Sequence, residues 1–504
     1  MTSFVERHRA KVLGELSCFD RVVITGTLPA ICHAQAMERH LRVEGVRLFD
    51  YPRWAEPLRE AIRANAERLA EEAGLGIDYV GRKDFRKEER VKKILAERGS
   101  HPGLVHVFSA MEPCPSFRPW HDRQSGKTTL RPREAKCLHY YFYFVDPELG
   151  LCYLRVPTWA PFRLQFYFNG HNRLACRLRA AGIGFAMADN AFVAIEDFER
   201  AQEMARDLGV EALHRLLDRL ARLFCPVVGR FAGGYHWSLM QVEYATDLVW
   251  KRREDLAPVY DALVRDAVQA VRAEQVASFL GRKLHPLYDG EVGTDFHTRI
   301  EGTRIKHHMG KASIKMYDKL GRVLRIETTA NDVSFFQHHR RVEHRNGTST
   351  MKLAPVKKTI YSLPALAELL EAANRRYLAF LASLADPSAG LRDLDRLGRR
   401  VHDGQRTHRG FNLCDSDDLK LFEVLLHGEY LLRGFQNRHL QHRLGKTSAQ
   451  ISRLLHRLRT HGIIKKVRGT YRYLLTRPGQ RLLALAVKLR RFYLVPQLLH
   501  QALA

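Results

Sequence analysis

Residues Thr447 to Leu475 read TSAQISRLLHRLRTHGIIKKVRGTYRYLL, and their spacing sets the fold of the C-terminal part of the chain. Thr447 or Ser448 opens a helix in which Ile451, Leu454, Leu455 and Leu458 fall on one face, and Gly462 ends it. Gln450, Arg453 and Arg457 are left on the outward face. Ile463 to Val467 and Tyr471 to Leu475 flank Arg468, Gly469 and Thr470, the pattern of a two-stranded hairpin with a glycine at its tip. Upstream, Asp417 and Asp418 form an acidic first turn before Leu419, Phe422, Leu425 and Leu426, which predicts an amphipathic helix ending near Leu432 and Gly434. Asn437 caps a second short helix that ends at Gly445.

The same region is strongly basic. Tyr430 to Ala504 holds sixteen Lys or Arg and no Asp or Glu, more than half of the formal net charge of +27. A like-charge run of this length is usually disordered, but helical spacing, caps and a hairpin mark this one as folded, and a folded basic surface predicts a polyanionic partner. Helix, helix, turn, helix and hairpin resemble, over about one seventh of the chain, the MarR-like winged helix-turn-helix family. The resemblance implies that the third helix enters the major groove of double-stranded DNA while the wing touches backbone or minor groove. It puts Gln450, Arg453 and Arg457 near bases and Lys465, Lys466, Arg468 and Arg472 near phosphates. A homodimer is compatible with such a domain, with an apolar helix Gln480 to Ala504 either at the interface or packed on its own domain.

At 504 residues the whole chain is long enough for roughly two to four domains, and 45% hydrophobic content supplies real cores. Eight cysteines without a CxxC pair fit reduced thiols in a cytoplasmic protein, and no apolar stretch reaches membrane-spanning length. Strand-like runs (Arg21 to Thr25, Tyr140 to Val145, Leu151 to Val156, Leu164 to Phe168) alternate with helices such as Pro57 to Ala73 and Asp197 to Phe224. The expected class is α+β multidomain: an N-terminal α/β domain over 1–225, a central antiparallel β-rich domain over 226–360, a helix and linker over 361–412 and the winged module over 413–504. Pro115 to Trp120 reads as a turn, and Gly126-Lys127-Thr128 as an exposed basic loop rather than a P-loop, because His121 stands where that motif needs glycine.

Arg304 to Thr329, RIKHHMGKASIKMYDKLGRVLRIETT, concentrates acid, base and phenol. A three-residue loop of Lys319, Leu320 and Gly321 pairs Met316 with Leu324 and Ile314 with Ile326 as an apolar face. The opposite face then carries Ser313, Lys315, Tyr317, Arg325 and Glu327, with Arg304, Lys306 and His308 alternating in the same way. Tyr-Asp-Lys followed by Leu-Arg-Ile-Glu resembles the rolling-circle replication initiators of plasmids and filamentous phages, over about thirty residues. The resemblance implies a DNA-nicking endonuclease in which a tyrosine attacks a phosphodiester and a divalent metal, Mg²⁺ or Mn²⁺, polarises it. Tyr317 and, on the helix Leu363 to Leu384, Tyr377 are the candidate nucleophiles, with Lys319 and Arg325 as activating cations. Glu327, His308 and Asp318 are the candidate metal ligands, and Arg304, Lys306 and Lys315 the strand-holding cations. Asp20 is a further acid for a two-metal site. The chain departs from that family in having no His-hydrophobic-His triplet.

Two functions follow. One is a mobile-element or plasmid replication initiator that binds its origin and nicks one DNA strand, with single-stranded DNA as a second ligand. The alternative is a non-catalytic regulator or origin-binding protein that only holds DNA.

Overall fold

A computed structural model describes residues 4–490 apart from 83, 285–287, 289, 300–301, 345, 385–394, 396, 405 and 413–414. The chain is mixed α/β and forms two compact units, Met1–Ala382 and Ser383–Ala504. Among the described residues no helix is long and apolar enough to cross a membrane.

The first unit is built on strands β1 (Val12–Thr27), β2 (Ile77–Tyr79), β3 (Gly103–His121), β4 (Thr128–Asp146), β5 (Gly150–Pro157), β6 (Leu164–Phe168), β7 (Phe185–Ala188), β8 (Ala191–Ile195), β9 (His236–Trp250), β10 (Val292–Arg299), β11 (Gly302–Met309), β12 (Ala312–Lys319), β13 (Val323–Ala330), β14 (Gln337–Glu343) and β15 (Ser349–Pro355). Eleven of them share one sheet in the order β10-β11-β12-β13-β9-β1-β6-β5-β4-β3-β2. Only the short β2 runs parallel to its neighbour; the other pairings are antiparallel. The boundary expected at residue 225 is therefore absent. β1 hydrogen-bonds along its whole length to β9, more than two hundred residues away, so strands from both sides of that boundary form one sheet. Local periodicity carries no information about a partner at that distance.

One face of the sheet carries Val22, Ile24, Phe142, Leu154, Phe166, Leu248, Ile314, Met316, Leu324 and Ile326, all buried. The helices Tyr51–Glu72, Val210–Phe224, Arg253–Ala270 and Leu363–Leu384 complete this core. Asp197 to Phe224, predicted as one continuous helix, is broken at Gly209, whose φ of 55° is left-handed. The helix Leu363–Leu384 forms over the expected residues, and up to Ala382 it belongs to this unit and packs into its core.

Residues 115–120, expected as a turn, lie inside β3. Pro113, Pro115 and Pro119 all sit at odd positions of a strand that beyond Ser109 has only β4 beside it, so the missing N–H groups fall on one side, the side an edge strand tolerates. β3 and β4 thereby continue past the sheet as a two-stranded ribbon that turns at 122–127.

The second unit holds the hairpin β16 (Val401–Asp403) and β17 (Arg406–His408), helices Ser416–Leu425, Gly428–Arg433, Asn437–Leu444 and Ser448–Thr460, the hairpin β18 (Ile464–Lys466) and β19 (Tyr473–Leu475), and the helix Arg477–Leu489. Phe422, Phe435, Leu440, Ile451, Leu455, Leu458, Ile463 and Leu483 make its core. The first expected helix is interrupted at Leu426 and His427, and part of the expected linker is the β16–β17 hairpin. The remainder of the predicted final helix, after residue 490, lies outside the described residues.

Candidate nucleic-acid interface

In the second unit the helix Ser448–Thr460 starts from a capping box: Thr447 Oγ1 accepts from Gln450 N, and Gln450 Oε1 accepts from Thr447 N at 2.8 Å. Gln450 and Arg453 are exposed, one turn apart, as the spacing predicts. Lys465, Lys466, Arg468 and Arg472 are exposed on and around the β18–β19 hairpin. A cavity of about 810 Å³ opens between β17 and the helix, with Arg406, His408, Lys446, Gln450, Arg453 and His456 in its wall.

Arg457 differs from expectation. It is buried at 6% exposure and its guanidinium grips Asp418, itself 3% exposed, through Nη1 and Nη2, both at 3.0 Å. Nε donates to the Arg409 carbonyl at 3.1 Å and Nη2 to that of Gly410 at 2.6 Å, while the group stacks over Phe411 at 3.7 Å. Arg457 thus ties the segment before the helix Ser416–Leu425 onto the helix Ser448–Thr460 and is not available to a base. Helical spacing placed it outside; the strap 409–411 that covers it is invisible to that spacing.

In the first unit the β12–β13 hairpin keeps the predicted faces but not the predicted partners. Tyr317 pairs with Arg325, Lys315 with Glu327 and Met316 with Ile326. The loop is Leu320–Arg322, one residue further along than expected, with Leu320 and Gly321 at φ 62° and 71°. A one-residue displacement of the loop shifts every pairing by two and so preserves which residues share a face.

That face carries a buried ion network. Arg325, with no exposed surface, binds Asp247 bidentately, Nε to Oδ1 and Nη2 to Oδ2, both at 2.6 Å. Its Nη1 lies 3.3 Å from Asp20 Oδ1. Asp20 is the extra residue where the β1–β9 register shifts between Phe19 and Arg21, and this bulge sets it beside the cluster. His171, in the first turn of the helix Gly170–Ala180 that Asn169 caps, places Nδ1 3.1 Å from Asp20 and Nε2 3.3 Å from Asp247. Gly170 permits this approach, since a Cβ there would collide with the carbonyl oxygen of Phe19. Burial and the nearby Arg325 both oppose a charge on His171, but the Cys18 sulfur and the hydrogen-bonded Asp20 and Asp247 carboxylates outweigh them and hold the imidazole well above its usual range. Burial alone would raise Asp20 and Asp247; Arg325 and His171 reverse that and hold both carboxyls low.

Adjacent to it, Glu327 accepts from Lys315 Nζ at 2.6 Å and from the Tyr317 hydroxyl at 2.7 Å, and Lys315 also reaches Glu243 at 3.2 Å. Burial and the Glu327 carboxylate push the Tyr317 phenol well above its normal range, the reverse of what a nucleophile needs. Tyr377 is wholly buried, edge-on to Phe279, with its hydroxyl 2.9 Å from His307 Nε2. Burial pushes His307 down to about 4, so it is a neutral partner to that phenol. Lys319 binds Asp189 at 3.0 Å and also Asn190.

The predicted metal ligands do not converge. Asp318 alternates onto the face opposite Glu327, and His308 places Nδ1 3.3 Å from Asp295 on β10. Arg304, Lys306 and His308 do share one face of β11, with Lys306 directly opposite Lys315. Two other groups bring donor atoms within 4.8 Å of one another: Asp20, Glu243 and Glu327, and Asp403, His408 and His456. Carboxylate oxygens suit Mg²⁺ or Mn²⁺. In the first group, however, Lys315 already lies between Glu327 and Glu243, and Arg325 lies against Asp20. The set is matched by the protein's own cations.

Sequence reading missed Asp247 and His171. Their available signals were a single acid inside the apolar run Tyr244 to Trp250 and a histidine just behind an N-cap. Glu327→Gln is expected to lower stability by about 1–3 kcal/mol through its lost charged hydrogen bonds while leaving DNA affinity unchanged, checked by thermal melts and fluorescence anisotropy. Compared with known proteins, the chain matches no family model, no curated protein and no solved structure.

Proposed function

We propose that the chain is a DNA-binding protein whose second unit acts as a MarR-like winged helix-turn-helix. The observation that carries this reading is the exposed basic surface of the helix Ser448–Thr460 and the β18–β19 hairpin, in a segment with no acidic residue from Tyr430 onward. In this reading Arg453 and Gln450 meet base edges in the major groove, and Lys465, Lys466, Arg468 and Arg472 meet phosphates. The order of four helices followed by a hairpin supports it, the second of them a short one where a single first helix was expected, with the helix Ser448–Thr460 capped at its exposed N-terminal end.

Regulation or origin binding fits better than strand nicking. A nick needs a tyrosine free to attack, whereas Tyr317 donates its hydroxyl to Glu327 and Tyr377 is enclosed with His307. Incubation with Mn²⁺ and single-stranded or supercoiled DNA is expected to give neither nicks nor a covalent adduct; an adduct mapped to either tyrosine would restore the initiator reading.

The binding mode is tested by two substitutions in the full-length chain. Arg453→Ala is expected to cost about 1–3 kcal/mol on a preferred duplex and much less on random duplex. Arg468→Ala is expected to weaken both alike. Equal losses for both substitutions on both duplexes would remove the helix Ser448–Thr460 from base recognition.

A further inference from the structure

We infer that Asp403, His408 and His456 form a transition-metal site that joins the β16–β17 hairpin to the helix Ser448–Thr460. The donors are two imidazoles and a carboxylate, a set that suits Zn²⁺ or a neighbouring divalent ion, and they lie within 4.8 Å of one another. The two rings stack with centroids 4.9 Å apart. Two imidazoles sharing one tetrahedral ion at about 2.0–2.1 Å place their centroids roughly 5 Å apart, so the separation suits a shared ion, towards which the ring planes, 23° apart, have to turn.

The nitrogens are also prepared. His456 Nδ1 lies 3.3 Å from Thr460 Oγ1, which leaves Nε2, 3.6 Å from Asp403 Oδ2, for a ligand. His408 Nε2 is buried with no hydrogen-bond partner, a costly condition that a metal would relieve. The support is rigid, because the residues just after His408 are pinned to the same helix: Arg409 and Gly410 accept from Arg457, and His461 lies 3.2 Å from the Arg409 carbonyl. Donors about 3.4 Å apart are needed on a bound ion, and Asp403 Oδ2, on a side chain half exposed, already stands 3.6 Å from His456 Nε2.

Tag-free full-length protein is titrated with Zn²⁺ against a competing chelator, and Co²⁺ is used as a spectroscopic substitute. The expected result is one site per chain with the absorption of tetrahedral Co²⁺, weakened at least tenfold in His408→Ala and in Asp403→Asn. Melting in EDTA controls for folding. If His408→Ala melts lower there, the exposed Asp403→Asn variant carries the test. Wild type and Asp403→Asn titrating alike, or wild type giving no tetrahedral signal, would overturn the site.

A different observation carries a second inference, in the first unit. The ribbon formed by β3 and β4 leaves the sheet at the end where β5 finishes, and the β14–β15 ribbon leaves from that same end, its base hydrogen-bonded to β9 through Leu239 and Lys358. Between their lanes lie β9, β1, β6 and β5, roughly 24 Å at the usual strand spacing. Each ribbon sets like charges directly opposite each other, Arg118 against Arg131 and Arg340 against Lys352, an arrangement that destabilises a free hairpin. Trp120, 39% exposed, lies under both Arg131 and Arg118 at 4.1 and 5.6 Å. We infer that these ribbons hold a duplex DNA backbone, independently of the second unit.

Arg118→Ser/Arg131→Ser in the full chain is expected to reduce the slope of log affinity against log salt by about 2, since each phosphate contact contributes about 0.9. Its melting temperature should match or exceed the wild type. An unchanged slope would overturn the ribbon contact. Arg453→Ala, measured alongside, reports on the helix Ser448–Thr460 separately, so either contact can fail without the other.

Discussion

Arg325→Ala is expected to destabilise the first unit by about 3–5 kcal/mol, a large share of the 5–15 kcal/mol by which a domain is usually folded. The guanidinium has no exposed surface and lies against Asp247, Asp20 and the Asn190 carbonyl at the junction of β1, β9 and β13. Removing it leaves two buried carboxylates with His171 between them and, for Asp20, the neutral amides of Asn169 and Asn190. A large loss of melting temperature in circular dichroism would agree with this account, whereas a surface-like loss below about 1 kcal/mol would show the network to be dispensable. The same groups set a pH dependence. Asp20 and Asp247 titrate lower folded than unfolded, so their contribution is fully present above their unfolded value of about 3.9 and is lost as pH falls towards the folded values. His171 titrates higher folded than unfolded. Its contribution is complete below about 6.5 and is lost only as pH rises through its raised value. Thermal melts should therefore show stability dropping below about pH 4.

Arg457→Ala is expected to unfold or loosen the second unit rather than change which DNA sequence it prefers. Asp418, 3% exposed, would lose both of its guanidinium hydrogen bonds, and the strap Arg409–Phe411 would lose its anchor, at a cost of about 3–5 kcal/mol. Arg453, one turn earlier and exposed, should leave melting unchanged. Parallel melting and binding curves separate the two. If Arg457→Ala melts like wild type and loses only sequence preference, the buried geometry is not the one in solution.

The second unit was legible because its information is local. Apolar spacing in Ile451 to Leu458, the Thr447 cap and the glycines at 445, 462 and 469 mark helix and turn without reference to distant residues. The faces of β12 and β13 were legible for a similar reason, since alternation survives a shift of the loop. What escaped depends on distant pairing. β1 with β9 merges two expected domains, the bulge at Asp20 and the helix start at His171 assemble the ion network, and the strap at Arg409 buries Arg457. A cluster of acid, base and phenol on one strand face reads as catalytic from sequence; here Lys315 and Tyr317 satisfy Glu327, and Arg325 satisfies Asp247.

The most direct measurement is fluorescence anisotropy of the full-length protein on labelled duplex from its own genetic neighbourhood, across a salt series, for wild type and Arg453→Ala. Log affinity is expected to fall linearly with log salt, and the substitution to remove the advantage of a preferred duplex over random sequence. No binding tighter than about 10⁻⁴ M even at low salt, or binding that Arg453→Ala leaves untouched on every duplex, would contradict it.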